Sequence, residues 1–317
     1  MKNVVVIGGG HGLATILRGL KMLPDLNLVA IVSVSDSGGS TGRLRSLYNV
    51  PAMGDIRNVM CALANEESIL SYLMDYRFSG NGNQDVLGHN LGNLIITAMI
   101  EREKGNFNDA IYSLSQILKI DGEIFPASLE SIDLYARMED GVIVKGEANI
   151  PKFNNHIDYV YYDHEVEAST WAIQAIERAD YIILGVGSLF TSILPNIIIP
   201  KISSALNASS AKKLYYCNIM SESGETDSFS VEKHVDMLYK HGLKNIDGVV
   251  VANDVIDSEI LDKYRLNGQE RVTVTKSEHD YQIIYENLLD WSTGLLIHSP
   301  LKIAKSFDVI LQKVNRN

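Results

Sequence analysis

The residues most able to do chemistry lie in small-residue loops that directly follow apolar runs. The first such loop, Gly8–Gly12, comes after Val4–Ile7, and Leu13–Leu20 then has the apolar spacing of a helix. Strand, glycine loop and helix in this order direct backbone N–H groups and the positive helix end toward an anion. The G-x-G-x-x-G fingerprint of dinucleotide sites is not met, because its third glycine position holds Leu13 or Thr15. The loop therefore predicts a phosphate or nucleotide site, with a purely structural turn as the alternative.

A second loop, Asp36–Arg43, follows the apolar run Leu28–Val34. Its serines and glycines are typical of an anion cradle, and the Arg43 guanidinium could pair with a phosphate in bidentate fashion. A surface turn and a solvated salt bridge are the alternatives. Asp36 and Asp55 both lie close to glycines, and together their carboxylates could hold Mg²⁺ against a diphosphate. Alternative roles stay open for both residues. Asp55 could be a helix N-cap, and Asp36 could be a turn residue or the acceptor for a ribose hydroxyl.

A polar patch with His89, Asn90 and Asn93 leads into an apolar helix. Its imidazole and amide groups suit hydrogen bonds to the edges of a sugar or a base. Asn90 also fits the position of a helix cap. His11 lies inside the first glycine loop. Its imidazole could have a structural role, bonded to the backbone, or it could contact a ligand, and both alternatives stay open. Cys61 lies on an apolar helical face and is predicted to pack in the core. The sequence contains no Walker loop, G-x-S-x-G elbow or kinase motif set.

The elements that must position these residues alternate between strands and helices. Further strands are predicted at 181–184, 214–217, 249–252 and 272–274, and helices at 53–64, 94–101, 107–118, 169–179, 230–241 and 300–314. The Asp140-Gly141 pair favours a hairpin between Ile132–Met138 and Val142–Ala148, and 81–83 is predicted to be a polar loop.

This order predicts an α/β fold with a Rossmann-like, mostly parallel sheet, helices on both faces and an antiparallel hairpin inserted at about 130–150. No linker interrupts the chain, so residues 1–317 are expected to form one domain. The loops that follow Ile7, Val34, Leu184 and Cys217 all leave carboxyl ends of predicted strands. In a parallel sheet these ends share one edge, and ligands bind in the crevice there.

Composition and net charge argue against several classes of binding partner. The 317 residues carry a net charge of −11, which argues against a broad nucleic-acid surface or binding to anionic membranes. No apolar run reaches the length of a membrane span, and the N-terminus lacks the pattern of a signal peptide. Two cysteines, Cys61 and Cys217, fit a reducing cytoplasm. A homodimer is the default expectation for the oligomeric state.

Six motifs in fixed order resemble one protein family. They read GGGHGLATILRGLK, VSVSDSGGSTGRLR, MGDIRNVMCALA, LGHNLGNLIITAM, GVGSLFTSILPNIIIP and CNIMSESGETD. Together they are similar to the gluconeogenesis factor (YvcK-like) family, which is related to the archaeal 2-phospho-L-lactate transferase of the CofD-like superfamily. The resemblance implies a Rossmann-like fold, a cytoplasmic bacterial protein, binding of UDP-N-acetylglucosamine, and a regulatory role in gluconeogenic growth and cell shape.

The transferase relatives use a guanine nucleotide and magnesium to join a phospholactyl group to a deazaflavin alcohol. By resemblance, Asp36 and Asp55 match their acidic loop motifs, while Gly8–Gly12 and Gly187–Ser192 match their nucleotide loops. The transferases carry two adjacent aspartates after the second strand, where this chain has Asp36-Ser37-Gly38. The missing carboxylate fits a binding protein better than a transferase.

Three functional hypotheses follow. The first is a nucleotide-sugar-binding regulator that acts through an unidentified protein partner. The second is a magnesium-dependent transferase of nucleotide-diphosphate substrates, with Asp36 and Asp55 as candidate catalytic groups and metal ligands. The third is an NAD-dependent oxidoreductase, which the missing fingerprint disfavours. No cofactor is required by the sequence, and magnesium stays open. The predicted ligand-binding residues are Gly8, Gly9, Gly10, His11, Gly12, Ser37, Gly38, Gly39, Thr41, Arg43, Asn58, His89, Asn90, Asn93, Gly187, Ser188, Thr191, Ser192 and Asn218.

Overall fold

The computed structural model describes residues 1–65, 69–80, 86–153, 155–291 and 294–314. The strands are β1 (Lys2–Gly8), β2 (Leu26–Val32), β3 (Glu123–Pro126), β4 (Tyr135–Met138), β5 (Ile143–Lys145), β6 (Ile157–Tyr161), β7 (Tyr181–Leu184), β8 (Lys212–Tyr216), β9 (Gly248–Ala252), β10 (Gln282–Glu286), β11 (Leu289–Asp290) and β12 (Ile297–His298). The helices are α1 (Gly10–Leu20), α2 (Gly39–Tyr48), α3 (Gly54–Leu63), α4 (Ile69–Asp75), α5 (Leu91–Arg102), α6 (Phe107–Leu118), α7 (Thr170–Glu177), α8 (Leu194–Ile197), α9 (Pro200–Ala208), α10 (Val231–Lys240), α11 (Ser258–Arg265) and α12 (Pro300–Val314).

The main sheet has seven strands in the order β10-β9-β8-β7-β1-β2-β3, and each neighbouring pair is parallel. The chain moves outward from β1 through β2 to β3, then returns to the other side of β1 at β7. This reversal creates a crevice between β1 and β7 at the carboxyl ends of the strands, where open α/β sheets bind ligands. The predicted α/β fold with a mostly parallel sheet is confirmed.

Burial on both faces explains the apolar strands. Val4–Ile7 in β1 are fully buried, because helices cover the central strand on each side. Helix α1 packs against α3 and α12. Gly19 allows the approach of α12, since a Cβ at this position would lie 2.4 Å from the Pro300 carbonyl oxygen. The sheet therefore holds the glycine loop after β1 on a rigid base.

The insertion after β3 forms a small antiparallel sheet in the order β5-β4-β6. Strands β4 and β5 are the predicted hairpin around Asp140-Gly141, and β6 is an additional strand. A 3₁₀ turn, Glu147–Lys152, connects β5 to β6. A separate two-stranded ribbon pairs β11 with β12.

Three local predictions differ from the structure. The segment Asp36–Arg43, predicted as a loop, contains the start of α2 at Gly39. Residues 272–274 form no strand, and the seventh strand of the sheet is β10. The helix predicted at 94–101 begins earlier, at Leu91. The polar loop predicted at 81–83 lies outside the described residues, as does the side chain of Val314.

Within the described ranges, no single helix is long and apolar enough to cross a membrane. One pair of successive helical segments, Leu189–Ile197 and Pro200–Ala208, reaches the required length and composition but is bent by 77°. Its residues Phe190, Ile193 and Leu206 are fully buried inside the fold.

Candidate functional site

The loops after β1 and β7 meet where the strand order reverses. A Cβ on Gly12 would lie 2.2 Å from the Val186 carbonyl oxygen, so the two backbones are in direct contact. Gly10 (φ 61°) and Gly187 (φ 140°) adopt backbone conformations that favour glycine. The buried Asn196 side chain donates from Nδ2 to the Gly8 carbonyl at 3.3 Å and to the Ser192 carbonyl at 2.8 Å. The predicted loops thus form one backbone-lined junction at the crevice.

Asp55 lies against this junction. A Cβ on Gly9 would come within 2.5 Å of Asp55 Oδ2, and the backbone N–H of Gly10 donates to this carboxylate. Burial and the neighbouring Asp36 raise the pKa of Asp55 to about 7. The alternative of a helix N-cap at Asp55 is wrong, because Met53 holds the N-cap position of α3.

Asp36 occupies the neighbouring loop. Its Oδ1 accepts a 2.7 Å hydrogen bond from the Gly38 backbone N–H, so Asp36 shapes the turn. Its Oδ2 lies 3.1 Å from the position of a Cβ on Gly54, which precedes Asp55. The structure therefore brings together the two carboxylates that the sequence singled out.

A third carboxylate, Glu147, comes from the inserted sheet. Burial, followed by the charges of Asp36, Asp55 and Glu225, raises the pKa of Glu147 to about 8. The adjacent Ala148 N–H donates to Ser37 Oγ at 3.3 Å, which holds the insertion against the second loop. No pattern around Glu147 in the sequence marks it as a site residue, since its position depends on the fold of the insertion.

A second acidic pair, Glu222 and Glu225, lies beside the loop after β7. Ser188 Oγ donates to Glu225 Oε2, and Thr191 Oγ1 donates to Glu225 Oε1 at 3.2 Å. Asn218 Nδ2 donates to Glu222 Oε1 at 3.2 Å, while Asn218 Oδ1 is buried and finds no hydrogen-bond partner among the described residues. The predicted residues Ser188, Thr191 and Asn218 therefore share one cluster with two carboxylates that the prediction missed. Both carboxylates belong to the SESGETD motif. In the sequence, only the resemblance of this motif to a protein family points to a functional role for them.

Burial and the charge of Glu225 raise the pKa of Glu222 to about 8. A carboxyl with a raised pKa in the folded state stabilises the protein at low pH and costs stability as the pH rises above its ordinary value of 4.5. We expect Glu222→Gln to raise the thermal midpoint relative to wild type near pH 8, and by a smaller amount near pH 5. Thermal unfolding at both pH values tests this, with the exposed Glu177→Gln as the control. An equal effect of Glu222→Gln at both pH values would contradict it.

The polar patch before α5 adjoins Asp36 through Thr41. Asn93 Nδ2 donates to Thr41 Oγ1 at 3.3 Å, and Asn93 Oδ1 is buried without a partner in the described part of the chain. His89 Nδ1 lies 3.1 Å from Ser40 Oγ. Burial and the charge of Arg43 lower the pKa of His89, which favours the neutral imidazole. Asn93 and His89 are therefore placed for neutral hydrogen bonds at this end of the crevice.

Other predicted residues have structural partners. Asn90 caps α5, because its side chain accepts from the Asn93 N–H at 3.0 Å and donates to the Asp75 carbonyl at 3.2 Å. Arg43 is exposed and donates to the Leu87 carbonyl at 2.9 Å. Asn58 accepts from the Arg57 guanidinium inside α3. His11 is exposed at the start of α1.

In the described part of the chain, no group of three or more His, Cys, Asp and Glu side chains has the geometry of a metal site. Mg²⁺ usually takes only one or two protein carboxylates and completes its shell with water and ligand oxygens. The hard oxygen donors of Asp36 and Asp55 fit that chemistry.

Comparison with known proteins places the chain in a family. Residues 4–289 match the family described as 2-phospho-L-lactate transferase CofD. The gluconeogenesis factor of Bacillus subtilis is 39% identical over 307 residues, covering 95% of this chain and 96% of that protein. The gluconeogenesis factor of Halalkalibacterium halodurans is 42% identical over 276 residues, covering 86% of this chain and 84% of that protein.

A crystal structure from Bacillus halodurans, described as a member of the UPF0052 family, has the same fold. It superposes with a TM-score of 0.91 at 38% identity, and covers 96% of this chain and 99% of that one. The likeness in fold thus extends over nearly the whole chain. The chain therefore belongs to the CofD-like family that includes the bacterial gluconeogenesis factors.

Proposed function

We propose that this protein binds a nucleoside-diphosphate sugar, with UDP-N-acetylglucosamine as the expected ligand, in the crevice between β1 and β7. The observation that carries the proposal is the junction of Gly8–Gly12 with Gly185–Ser188. Helix α1 starts at this junction with no side-chain cap at Gly9 and no acidic residue in its first turn. The Gly10 N–H donates to Asp55, and the other N–H groups of this first turn are available to a phosphate group.

The carboxylates beside the proposed diphosphate position determine which counter-ion must bind with it. Asp36, Asp55 and Glu147 share one end of the crevice, where burial, followed by their mutual repulsion, raises the pKa values of Asp55 and Glu147. A diphosphate beside these groups needs a compensating positive charge. Magnesium, held by Asp36 and Asp55, is the proposed cation, and it would neutralise the diphosphate and fix its orientation.

Two polar clusters are available for the base and the sugar. His89 and Asn93 lie beyond Asp36, and their neutral groups suit hydrogen bonds to base or sugar edges. Ser188, Glu222 and Glu225 lie beside the loop after β7. Carboxyl and hydroxyl groups of this kind pair well with sugar hydroxyls, because both partners can donate and accept.

In this proposal the bound sugar nucleotide acts as a signal. The names of the relatives refer to gluconeogenesis, which supports a regulatory role in growth on gluconeogenic carbon sources. The resemblance of the six sequence motifs extends this proposed role to cell shape. It would act in the cytoplasm through a protein partner that recognises the liganded form.

One observation favours a second candidate function, a magnesium-dependent transferase. Asp36 and Asp55 offer two hard oxygen donors for a magnesium ion that would assist reaction of a diphosphate, and the matching family is described as a transferase. This function requires a product that forms with wild-type protein and not with Asp36→Ala. Mass analysis of nucleotide mixtures in which no ligand is altered would contradict it.

Calorimetric titration with UDP-N-acetylglucosamine, GDP and NAD, each with and without magnesium, tests the binding proposal. We expect selective binding of the UDP sugar, and an affinity loss of at least about 100-fold in Gly10→Asp, because the new carboxylate stands at the start of α1 where the diphosphate would lie. Gly141→Asp is the control: Gly141 also has a positive φ, and a Cβ there would meet no described atom within 4 Å. Unchanged affinity in Gly10→Asp, or a preference for GDP, would overturn the proposal.

A further inference from the structure

A second cavity lies on one face of the main sheet, at the amino ends of the strands. Its volume is about 650 Å³, within the range of small-molecule sites, and α6 and α7 form its walls. Val5 and Val29, which pair in register, form its floor and are almost fully buried. Two residues further along the same face, Ile7 and Ile31 are fully buried and lie outside the lining. Packed side chains therefore separate this cavity from the crevice at the carboxyl ends.

An aromatic platform borders the cavity. The indole of Trp171 stacks on the ring of Phe125, with a centroid distance of 6.1 Å and an interplanar angle of 17°. The Trp171 side chain nevertheless remains 53% exposed, which is unusual for the largest apolar side chain. Tyr112, on the opposite wall, is 66% exposed. A flat ligand can thus cover aromatic surface that the fold leaves open to water.

The lining also contains amide side chains. Gln116 lies on the α6 wall and Gln174 on the α7 wall, and each amide can both donate and accept hydrogen bonds. Asn108 lines the cavity as well, but its buried Oδ1 has no exposed surface that a ligand could contact. The cavity combines a stacking surface with amide groups that match the edge of a nitrogen heterocycle.

We propose that this cavity is a second ligand site, which binds a flat nitrogen heterocycle of nucleobase size. The ring stacks on Trp171 and exchanges hydrogen bonds with the Gln116 and Gln174 amides, above the apolar floor of Val5 and Val29. Arg178, also in the lining, is available to an anionic substituent on the ring. The site is independent of the proposed nucleotide-sugar site and requires none of its residues.

Adenosine is the probe that tests the proposal. The chain has two tryptophans, so in a Trp291→Phe background the fluorescence reports on Trp171 alone. We expect saturable quenching by adenosine, and about tenfold weaker binding in Gln174→Ala, the size of one lost hydrogen bond. Asn267→Ala, which shortens an exposed amide beyond α11, is the control. Calorimetry with Trp171→Ala should give no binding while thermal unfolding of that variant stays cooperative.

The test separates this site from the crevice. Quenching that persists in Gly10→Asp supports the cavity whatever the outcome for UDP-N-acetylglucosamine. Quenching that disappears in Gly10→Asp would place adenosine in the crevice and overturn the proposal. Absence of quenching at millimolar adenosine would also overturn it, as would self-association of the protein that Trp171→Ala abolishes, since the face would then bind a second copy of the chain.

Discussion

Gly12→Ala is expected to abolish measurable binding of UDP-N-acetylglucosamine and to lower the free energy of unfolding by about 2–3 kcal/mol. The new Cβ would lie 2.2 Å from the Val186 carbonyl oxygen and 2.8 Å from the Gly187 nitrogen. Both are backbone atoms, so the two loops must separate. Gly12 lies in the first turns of α1, where alanine alone would be favoured by about 1 kcal/mol. The steric conflict exceeds this gain, and destabilisation is therefore the expected sign.

Calorimetric titration and urea unfolding measure the two effects of Gly12→Ala. Thr15→Ala, one turn further along α1, is the matched control because it removes a single local hydrogen bond to the His11 carbonyl. We expect this control to bind normally. A Gly12→Ala protein that binds the sugar nucleotide with wild-type affinity would show that contact between the two loops is not needed for the site.

The second large effect is expected from Glu232→Ala, which should lower the free energy of unfolding by about 3–5 kcal/mol. Glu232 is 3% exposed and holds the segment after residue 272 against α10. Its carboxylate accepts from the Thr275 N–H at 2.9 Å and from the Lys276 N–H at 3.0 Å, and lies 3.0 Å from His279 Nε2. Truncation leaves these three part-buried donors without their common acceptor.

The same carboxylate produces a pH dependence. Burial alone would raise the pKa of Glu232, but the hydrogen bonds from His279, Lys276 and Thr275 outweigh it and hold the pKa well below the ordinary value of 4.5. A lowered pKa in the folded state contributes stability above 4.5 that is lost as the pH falls below it. Urea unfolding of wild type and Glu232→Ala at neutral and acidic pH should therefore show the difference shrinking in acid. Asp236→Asn, exposed on the same helix, is the control, and a pH-independent difference would contradict the argument.

Elements with a strong local signal were predictable from the sequence. The helix predicted at 107–118 has those bounds in the structure, because Asn106 caps its start and its buried face repeats with the helical period. The helix predicted at 230–241 likewise starts at Val231 in the structure, because Ser230 caps it by accepting a hydrogen bond from the Lys233 N–H. The apolar runs of β1 and β7 are typical of strands that are buried on both faces of a parallel sheet. Both strands are buried in this way at the centre of the sheet.

Tertiary contacts decided the elements that were missed. The small residues of Asp36–Arg43 favour a loop, yet Arg45, in the last turn of α2, ties this helix to the Asp36 and Ile132 carbonyls. Strand β3 contains Pro126, which is tolerated because the strand lies at the sheet edge. The apolar residues at 272–274 look like a strand, but β10 takes the position beside β9.

The backbone contacts of the candidate site were predictable, because glycines in the sequence mark where two backbones approach each other. Most of its carboxylates were not. Glu147, Glu222 and Glu225 belong to segments with no periodic or spacing signal of their own. They reach the crevice only because the inserted sheet docks on Ser37 and the segment after β8 folds back on Ser188. A single sequence predicts where the strands end. The fold determines which side chains from distant parts of the sequence meet at those ends.

The contacts that build the crevice also set when it can form. Asn196 joins Gly8 across 188 positions in the sequence, and Ala148 joins Ser37 across 111. Closing such long loops carries an entropic cost, and contacts of this separation tend to form late in folding. During synthesis, the first glycine loop emerges long before its partners. Binding of the proposed ligand would therefore require that the chain has folded at least through Asn196, and the ligand would stabilise only such chains.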